Sequence, residues 1–418
     1  VTTPAARATP PFDLVMIGAD IGVYALARAF HERYGVISTV VSRLATGPIA
    51  NSKIIENVAL GEGTTLDDTL RELLRIGQQR SQDVPALLMC NADGFVRFVV
   101  DHREELSQYY VIPFIDATLL DQLSDKGHFA ELCAKLDIDT PTTVIQDFSG
   151  AAAPGWSASP IDLPFPVVAK AAASSEYEGM SFEGKKKIYF ISDQAELDAL
   201  WARLSAAGFA GRFVVQELIP GDDTWMRSIT AYCDRRGEVT LLCSAQVLLE
   251  EHTPLALGNP AAMITTALPE AMEQAKRLLQ EVGYVGFANF DVKVDPRDGT
   301  FRFLEVNPRI GRNNYYVTAA GANVAQFVVG DFIEDRPVEP VVVEREILYS
   351  ILPQRLLLKY VTDPALKARV TALGKRGIAH PLENRIEGVR RRAYVVAAKL
   401  NQIKKFRTYY PEPTETGF

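Results

Sequence analysis

The chain has 418 residues, 47% of them hydrophobic and 23% charged, with a formal net charge of −8. That length is more than one core organises, so two or three domains are expected, and the composition is that of an ordinary water-soluble globular protein that does not bind nucleic acid. No apolar run reaches the ~18 residues a membrane span needs, and four scattered cysteines without Cys-x-x-Cys spacing exclude a zinc site or a disulfide framework and fit a reducing cytoplasm.

The opening stretch from Val1 to Pro11 lacks the apolar segment of a secretory signal and reads as a short disordered lead. Phe12 to Gly22 is a buried-strand run entering a glycine turn. A helix from about Val23 to Tyr34 and a strand over Gly35 to Ser42 complete a βαβ unit. Gly18 and Gly22 give Gly-x-x-x-Gly rather than Gly-x-Gly-x-x-Gly, and Arg43 rather than an acid ends the second strand. A structural turn is therefore favoured over a dinucleotide site. A helix over Leu66 to Arg80 and strands near Ala86–Cys90 and Val111–Pro113 complete a first α/β unit spanning residues 1–115.

Leu123 to Pro141 reads as a capped helix and a turn, with Asp125-Lys126 at its head; a lysine there is ordinarily solvated. Gly150 to Pro160 is a loop rich in Ala, Gly, Ser and Pro. Phe165 to Lys170 is a strand whose lysine emerges beside a small-residue loop holding Ser174, Ser175, Gly179 and Met180. Such a loop suits a flap over phosphates, with amides and hydroxyls as donors, although it lacks the Gly-Lys-Ser/Thr of a Walker A loop. Lys185 to Lys187 read as a solvated turn before a strand at Ile188–Ile191. Phe213 to Gly221, containing Glu217, Leu218 and Ile219, is a buried strand with Asp222-Asp223 beyond it. Trp225–Cys233 and Val239–Val247 form a sheet pair, Glu250–Asn259 a loop placed to border a substrate site, and Pro269–Val282 an amphipathic helix.

That helix feeds a hairpin from Gly286 to Arg312, in which two Phe- and Val-rich runs flank a turn carrying Pro296 and Gly299. Alternation puts Glu305 and Asn307 on one face, and a pairing centred on Arg297 and Asp298 sets Asp291 opposite Glu305. Cross-strand neighbours are only ~5 Å apart, so two carboxylates and an amide oxygen converge. Read singly, these are an exposed acid and half of a salt bridge. Together, with Arg309 and Arg312 following at once, they suit a hard divalent cation, typically Mg²⁺, holding phosphates.

The run Glu305-Val-Asn-Pro-Arg-Ile-Gly-Arg312 resembles the Glu-x-Asn-Pro-Arg signature of the ATP-grasp superfamily, closest to its carboxylate–amine ligases and its carbamoyl-phosphate-synthase-like branch. The resemblance covers about Asp116 to Asn323. It implies an α/β (α+β ATP-grasp) architecture: a Rossmann-like domain over 1–115, an ATP-grasp module over 116–335 in two halves (116–212 and 213–335), and a basic helical extension over 336–418. In that family Asp291, Glu305 and Asn307 occupy the metal positions, with Mn²⁺ as an alternative to Mg²⁺. Lys126 and Lys170 match the lysines that contact ATP phosphates, beneath the flap of Ser174, Ser175, Gly179 and Met180. The backbone of Glu217, Leu218 and Ile219 would read adenine and Asp223 would hold the ribose. Arg309 and Arg312 would hold the substrate carboxylate and stabilise its oxyanion. The flap departs from the glycine-rich norm, with only Gly179 and Gly184.

The resemblance thus implies an ATP-dependent ligase that joins an amino-acid carboxylate to an amine through an acyl phosphate, similar to the D-aspartate ligases of peptidoglycan precursor synthesis. A homo-oligomer is compatible with it. Two rivals are a non-catalytic nucleotide-binding regulator and a nicotinamide-dependent oxidoreductase. Beyond the resemblance, Ile351 to Arg407 carries 14 Lys and Arg against Asp363, Glu383 and Glu387, a balance of +11 that leaves −19 on the remaining chain. Arg390–Arg392 reads as a solvated helix face, and the asymmetry points to an anionic acceptor.

Overall fold

Near-continuous apolar runs build the first of three sheets: β1 (Asp13–Ile17), β2 (Ser38–Ser42), β3 (Ile55–Ala59) and β4 (Ala86–Cys90), all parallel in the order β3-β2-β1-β4. Parallel strands covered on both faces read in this way, and every residue of β4 is buried. The helices Ile21–Tyr34 and Leu66–Gln79 start at Asp20 and Thr65, whose side chains accept backbone N–H groups; Thr65 and Asp68 form a reciprocal capping box. The structure is a computed structural model and describes residues 11–81, 83–172, 177, 179–254, 256–336 and 338–417. Ser174 and Ser175 lie outside the described residues. Sequence reading missed β3, a half-exposed edge strand with a weak apolar signal. Conversely, Val111–Pro113 is not a strand, because Val111 makes only a single bridge to Leu87.

The second sheet holds β5 (Thr143–Asp147), β6 (Val167–Ala171), β7 (Tyr189–Ile191) and β8 (Arg212–Glu217), antiparallel in the order β5-β8-β6-β7. Its core is aromatic: Phe148, Trp201, Phe209 and Phe213 pack edge to face at 5.3 to 5.8 Å, the geometry ring quadrupoles favour. Because β8 pairs wholly within this sheet, a division at residue 212 would cut the chain at the start of a paired strand. The change of sheet falls after Glu217.

The third sheet holds β9 (Met226–Cys233), β10 (Val239–Glu250), β11 (Pro260–Thr265), β12 (Gly286–Val294), β13 (Phe301–Asn307), β14 (Val341–Val342), β15 (Leu348–Ser350) and β16 (Ile378–Ala379). The order is β13-β12-β9-β10-β11-β15-β16, with β14 on β10. The segment after residue 336 is therefore helical only in part: three of its short strands join the central sheet, too brief to show a period in sequence.

Arg391 corrects the expected solvated face of the helix Val389–Tyr409. It is only 2% exposed, its guanidinium lies 4.5 Å from the Tyr24 ring, and Nη1 donates to the Gly47 and Ala50 carbonyls. Its neighbours Arg390 and Arg392 are exposed. No helix among the described residues is long and apolar enough to cross a membrane.

Candidate active site

The β12–β13 hairpin places Asp291 opposite Glu305 and Asn289 opposite Asn307. A pairing centred on Arg297 and Asp298 does not by itself give that register, contrary to the expectation from the sequence. From Val294↔Phe301 to Val292↔Phe303 the ladder is centred on Arg297 and Asp298, and continued unbroken it would set Asp291 against Leu304. A bulge between Asp291 and Val292 takes up Leu304 as the extra residue and brings Glu305 into line. Bulges re-aim side chains next to functional sites, and this one gathers the acids on one face. Asp291 accepts from Asn307 Nδ2 at 3.1 Å and from Asn289 Nδ2 at 3.4 Å.

Charge is divided unequally between the two acids. Burial raises the Asp291 carboxyl well above the usual range and Glu305 pushes it further, with Arg309 opposing. Glu305 is held low: burial would raise it, but Lys126, Lys170, Lys187 and Arg309 together outweigh that cost. Lys126 Nζ stands 3.7 Å and Lys170 Nζ 4.0 Å from Glu305 Oε2. Burial lowers the Lys170 ammonium to about 8, against the pull of Glu305. Lys126 is set by the helix Lys126–Lys135, whose start Asp125 caps through Gly127 and His128, and its Nζ also donates to the Ala172 carbonyl at 3.4 Å. Sequence reading had Lys187 as a solvated turn residue; it is exposed, yet its charge acts on both acids and on Lys170.

Among the described residues no group of three His, Cys, Asp or Glu side chains gathers as a metal cage. The donor set is instead two carboxylates and the Asn307 amide. That fits Mg²⁺, which takes one or two protein carboxylates and fills its octahedron with water and phosphate oxygens. A dication would also offset the burial and the Glu305 repulsion that together hold Asp291 toward its neutral form.

Glu217 ends β8, where it is tied to Arg297 Nη2 at 2.6 Å; Leu218 is half-buried and Ile219 buried. Gly179 is exposed, and the Met180 carbonyl accepts from Lys185 Nζ at 2.7 Å. Asp223, expected to meet ribose, is buried and already engaged. Its Oδ2 accepts from Glu250 N at 2.8 Å and faces His252 Nε2 at 3.0 Å, because the loop after β10 folds back on it. The C-terminal tail adds to this closure: a Cβ at Gly417 would come within 2.5 Å of Asp223 Oδ1.

The two arginines reach the first domain. Arg309 donates to both oxygens of Asp93, at 2.8 and 3.2 Å, and to Asn307 Oδ1 at 3.1 Å. Arg312 donates to Glu251 at 2.5 Å and pairs with Asp20 at 3.1 Å. The chain can pass here only because of glycine. A Cβ on Gly22 would fall 2.9 Å from the Arg312 backbone and 2.1 Å from Asn91 Nδ2, and one on Gly311 would strike Asn289. Gly22 thus serves chain packing, in keeping with a structural turn. Asp20, Asn91 and Asp93 were missed in the sequence, where nothing local marks them; Glu251 falls in the Glu250–Asn259 loop expected to border the substrate site, without having been singled out there.

The model of the carbamoyl-phosphate synthase L chain ATP-binding domain matches residues 125–327. A D-aspartate ligase from Enterococcus faecium (strain Aus0004) is 33% identical over 357 residues, covering 84% of this chain and 84% of that protein. Among solved structures, an L-amino acid ligase from Bacillus licheniformis superposes with a TM-score of 0.56 at 15% identity, over 80% of this chain and 79% of that one. The biotin carboxylase domain of the Hydrogenobacter thermophilus 2-oxoglutarate carboxylase, a complex with MgADP, ADP and bicarbonate, gives 0.58 at 13% identity, over 80% and 72%.

These similarities identify an ATP-dependent ligase and do not favour a dehydrogenase or a regulator without catalysis. The chain belongs to the ATP-grasp superfamily, among its carboxylate–amine ligases. It is an ATP-dependent enzyme that forms a carbon–nitrogen bond.

Proposed function

We propose that this enzyme joins the carboxylate of a small amino acid, aspartate by similarity to its Enterococcus relative, to the amine of an anionic acceptor such as a muramyl-peptide precursor. The observation that carries the reading is the meeting of Asp291, Glu305 and Asn307 on one hairpin face with Lys126 and Lys170 within 3.7 and 4.0 Å of Glu305. Asp291, Glu305 and Asn307 would hold Mg²⁺, or Mn²⁺ in its place, which when bound neutralises charge on the ATP phosphates. Lys126 and Lys170 would grip phosphate oxygens, with Gly179 and Met180 in the loop above; Glu217 to Ile219 would border the adenine. ATP use and four unpaired cysteines suit a cytoplasmic setting.

The carboxylate oxygen attacks the γ-phosphorus and ADP leaves, giving an acyl phosphate. The amine nitrogen then attacks the carbonyl carbon, phosphate departs, and the nitrogen loses its proton. Arg309 would hold the carboxylate and then the developing oxyanion, a role whose loss costs about 3–4 kcal/mol; Arg312 would hold a second anionic group. The chain supplies position and charge, with no protein nucleophile.

The test is phosphate release by the purified enzyme with ATP, Mg²⁺, D-aspartate and a peptide bearing a free lysine amine. Release should require both co-substrates and should fall at least about 100-fold in Glu305→Gln and in Asp291→Asn, whose melting temperatures stay near wild type. Near-normal Mg²⁺-stimulated release in both variants would remove the metal assignment. Phosphate release indifferent to every amino acid offered would remove the ligase substrate.

A further inference from the structure

Arg309 and Arg312 meet the first domain at a particular point of its topology. In the order β3-β2-β1-β4 the chain runs outward from β1 through β2 and β3, then returns to β4 on the other side of β1. Open α/β sheets bind ligands in the crevice outside the carboxyl ends of their strands at such a reversal. Asp20 follows β1 directly, and Asn91 and Asp93 follow β4, with Asn91 Nδ2 donating to Asp20 Oδ1 at 3.2 Å.

The two acids at this point differ in how much they have left to offer. Asp20 caps a helix through Val23 N, accepts from Asn91 and pairs with Arg312. Asp93 opens the helix Asp93–Asp101 without capping it, its side chain is 61% exposed, and among the described residues it pairs with Arg309, itself 14% exposed. Two N–H groups occupy one site on each Asp93 oxygen, and an ionised carboxylate has about four. From Arg309 the contacts continue through Asn307 to Asp291. An acid and an arginine side by side, joined to the candidate metal face, offer opposite charges to a substrate that carries both.

We infer that Asp93 is the specificity-determining residue that accepts the ammonium group of the carboxylate substrate, while Arg309 and Arg312 take its two carboxylates. The site thereby selects an amino dicarboxylic acid over a dicarboxylic acid without the amine. The inference rests on the ligase reading above. A charge-assisted hydrogen bond from ammonium to Asp93 is formed by the first class and denied to the second.

The experiment compares D-aspartate with succinate in phosphate release by the full-length enzyme, with ATP and Mg²⁺ saturating. Wild type should favour aspartate at least tenfold in kcat/KM. In Asp93→Asn that preference should fall at least tenfold because the KM for aspartate rises more than that for succinate, with the KM for ATP near wild type; Asp93→Glu should restore part of it. If Asp93 only positions Arg309, both acids lose equally and the ratio stands, which overturns the inference. A wild type that does not distinguish the two acids overturns it as well and leaves the ligase reading intact. A wild type that turns over neither overturns the substrate reading itself, before any variant is made.

Discussion

Lys170 shows how one buried charge is tuned by its surroundings. It rises from β6 beside a second lysine and opposite a carboxylate; burial lowers its ammonium to about 8 while Glu305 keeps it from falling further. The sign follows directly. The cation is present below about 8 and is lost as pH rises through that value. The KM for ATP should therefore climb above about pH 8, more than the KM for the carboxylate substrate does. Lys170→Arg, which cannot lose its proton in this range, should flatten that climb, and Lys170→Ala should raise the KM for ATP at every pH. Steady-state titration of both substrates between pH 6.5 and 9.5 checks it. An effect confined to the carboxylate substrate would move Lys170 out of the nucleotide site.

At the scale of elements, the helix Val389–Tyr409 separates what three consecutive arginines do. One turn of helix spreads neighbours over different faces, so Arg391 points inward while Arg390 and Arg392 face water. Arg391 packs on Tyr24 and Tyr394 and donates to two carbonyls of the first domain. Next to it, Glu387 accepts from Tyr24 Oη, Ser52 Oγ and Lys53 N at 2.9, 2.6 and 2.9 Å. Arg391→Gln should cost about 1–3 kcal/mol in chemical denaturation, because it removes a buried guanidinium from the Tyr24 ring and leaves two part-buried carbonyls without this donor. The pair Arg390→Gln and Arg392→Gln should stay within about 0.5 kcal/mol. Equal costs for both would mean that the buried contact holds nothing together. The exposed pair remains available to an anionic acceptor, and any effect on its KM should fade with added salt.

For the whole molecule, the C-terminal quarter closes the structure. It adds β15 and β16 to the central sheet, pairs β14 with β10, fastens the first domain through Glu387 and Arg391, and ends in a tail where Tyr410 stacks on His252 at 3.7 Å. His252 in turn faces Asp223. A protein truncated after residue 336 loses a sheet edge and the apolar cover of β11, an exposed edge that invites aggregation. It should fail to give a cooperative thermal transition. A truncation after Tyr409 keeps the sheet and should fold, with the stack removed. Calorimetry distinguishes the cases; a cooperative, monomeric product of the truncation after residue 336 would show the segment beyond it to be dispensable for folding.

The convergence of side chains on the hairpin was legible in the sequence because it is local. Strand alternation puts Glu305 and Asn307 on one face, and a turn near Arg297 brings Asp291 close, so the acids, the amide and both arginines could be named without coordinates. The family resemblance of the same run extended that to the fold and to the ligase chemistry. The register itself was not legible: an unbroken hairpin selects Leu304, and the bulge that admits Glu305 depends on packing around the pair. Three other features waited on tertiary structure. Asp93 lies 216 residues from Arg309, so only the packing of the first domain against β13 joins them. The direction of Asp223 was decided by a loop and a tail that fold back over it. Arg391 was indistinguishable from its neighbours until the helix found its face. In each case the sequence determined which groups were present and their local geometry, and long-range contacts decided which of them meet, because a pattern of residue types carries the period of an element but not the identity of its partner.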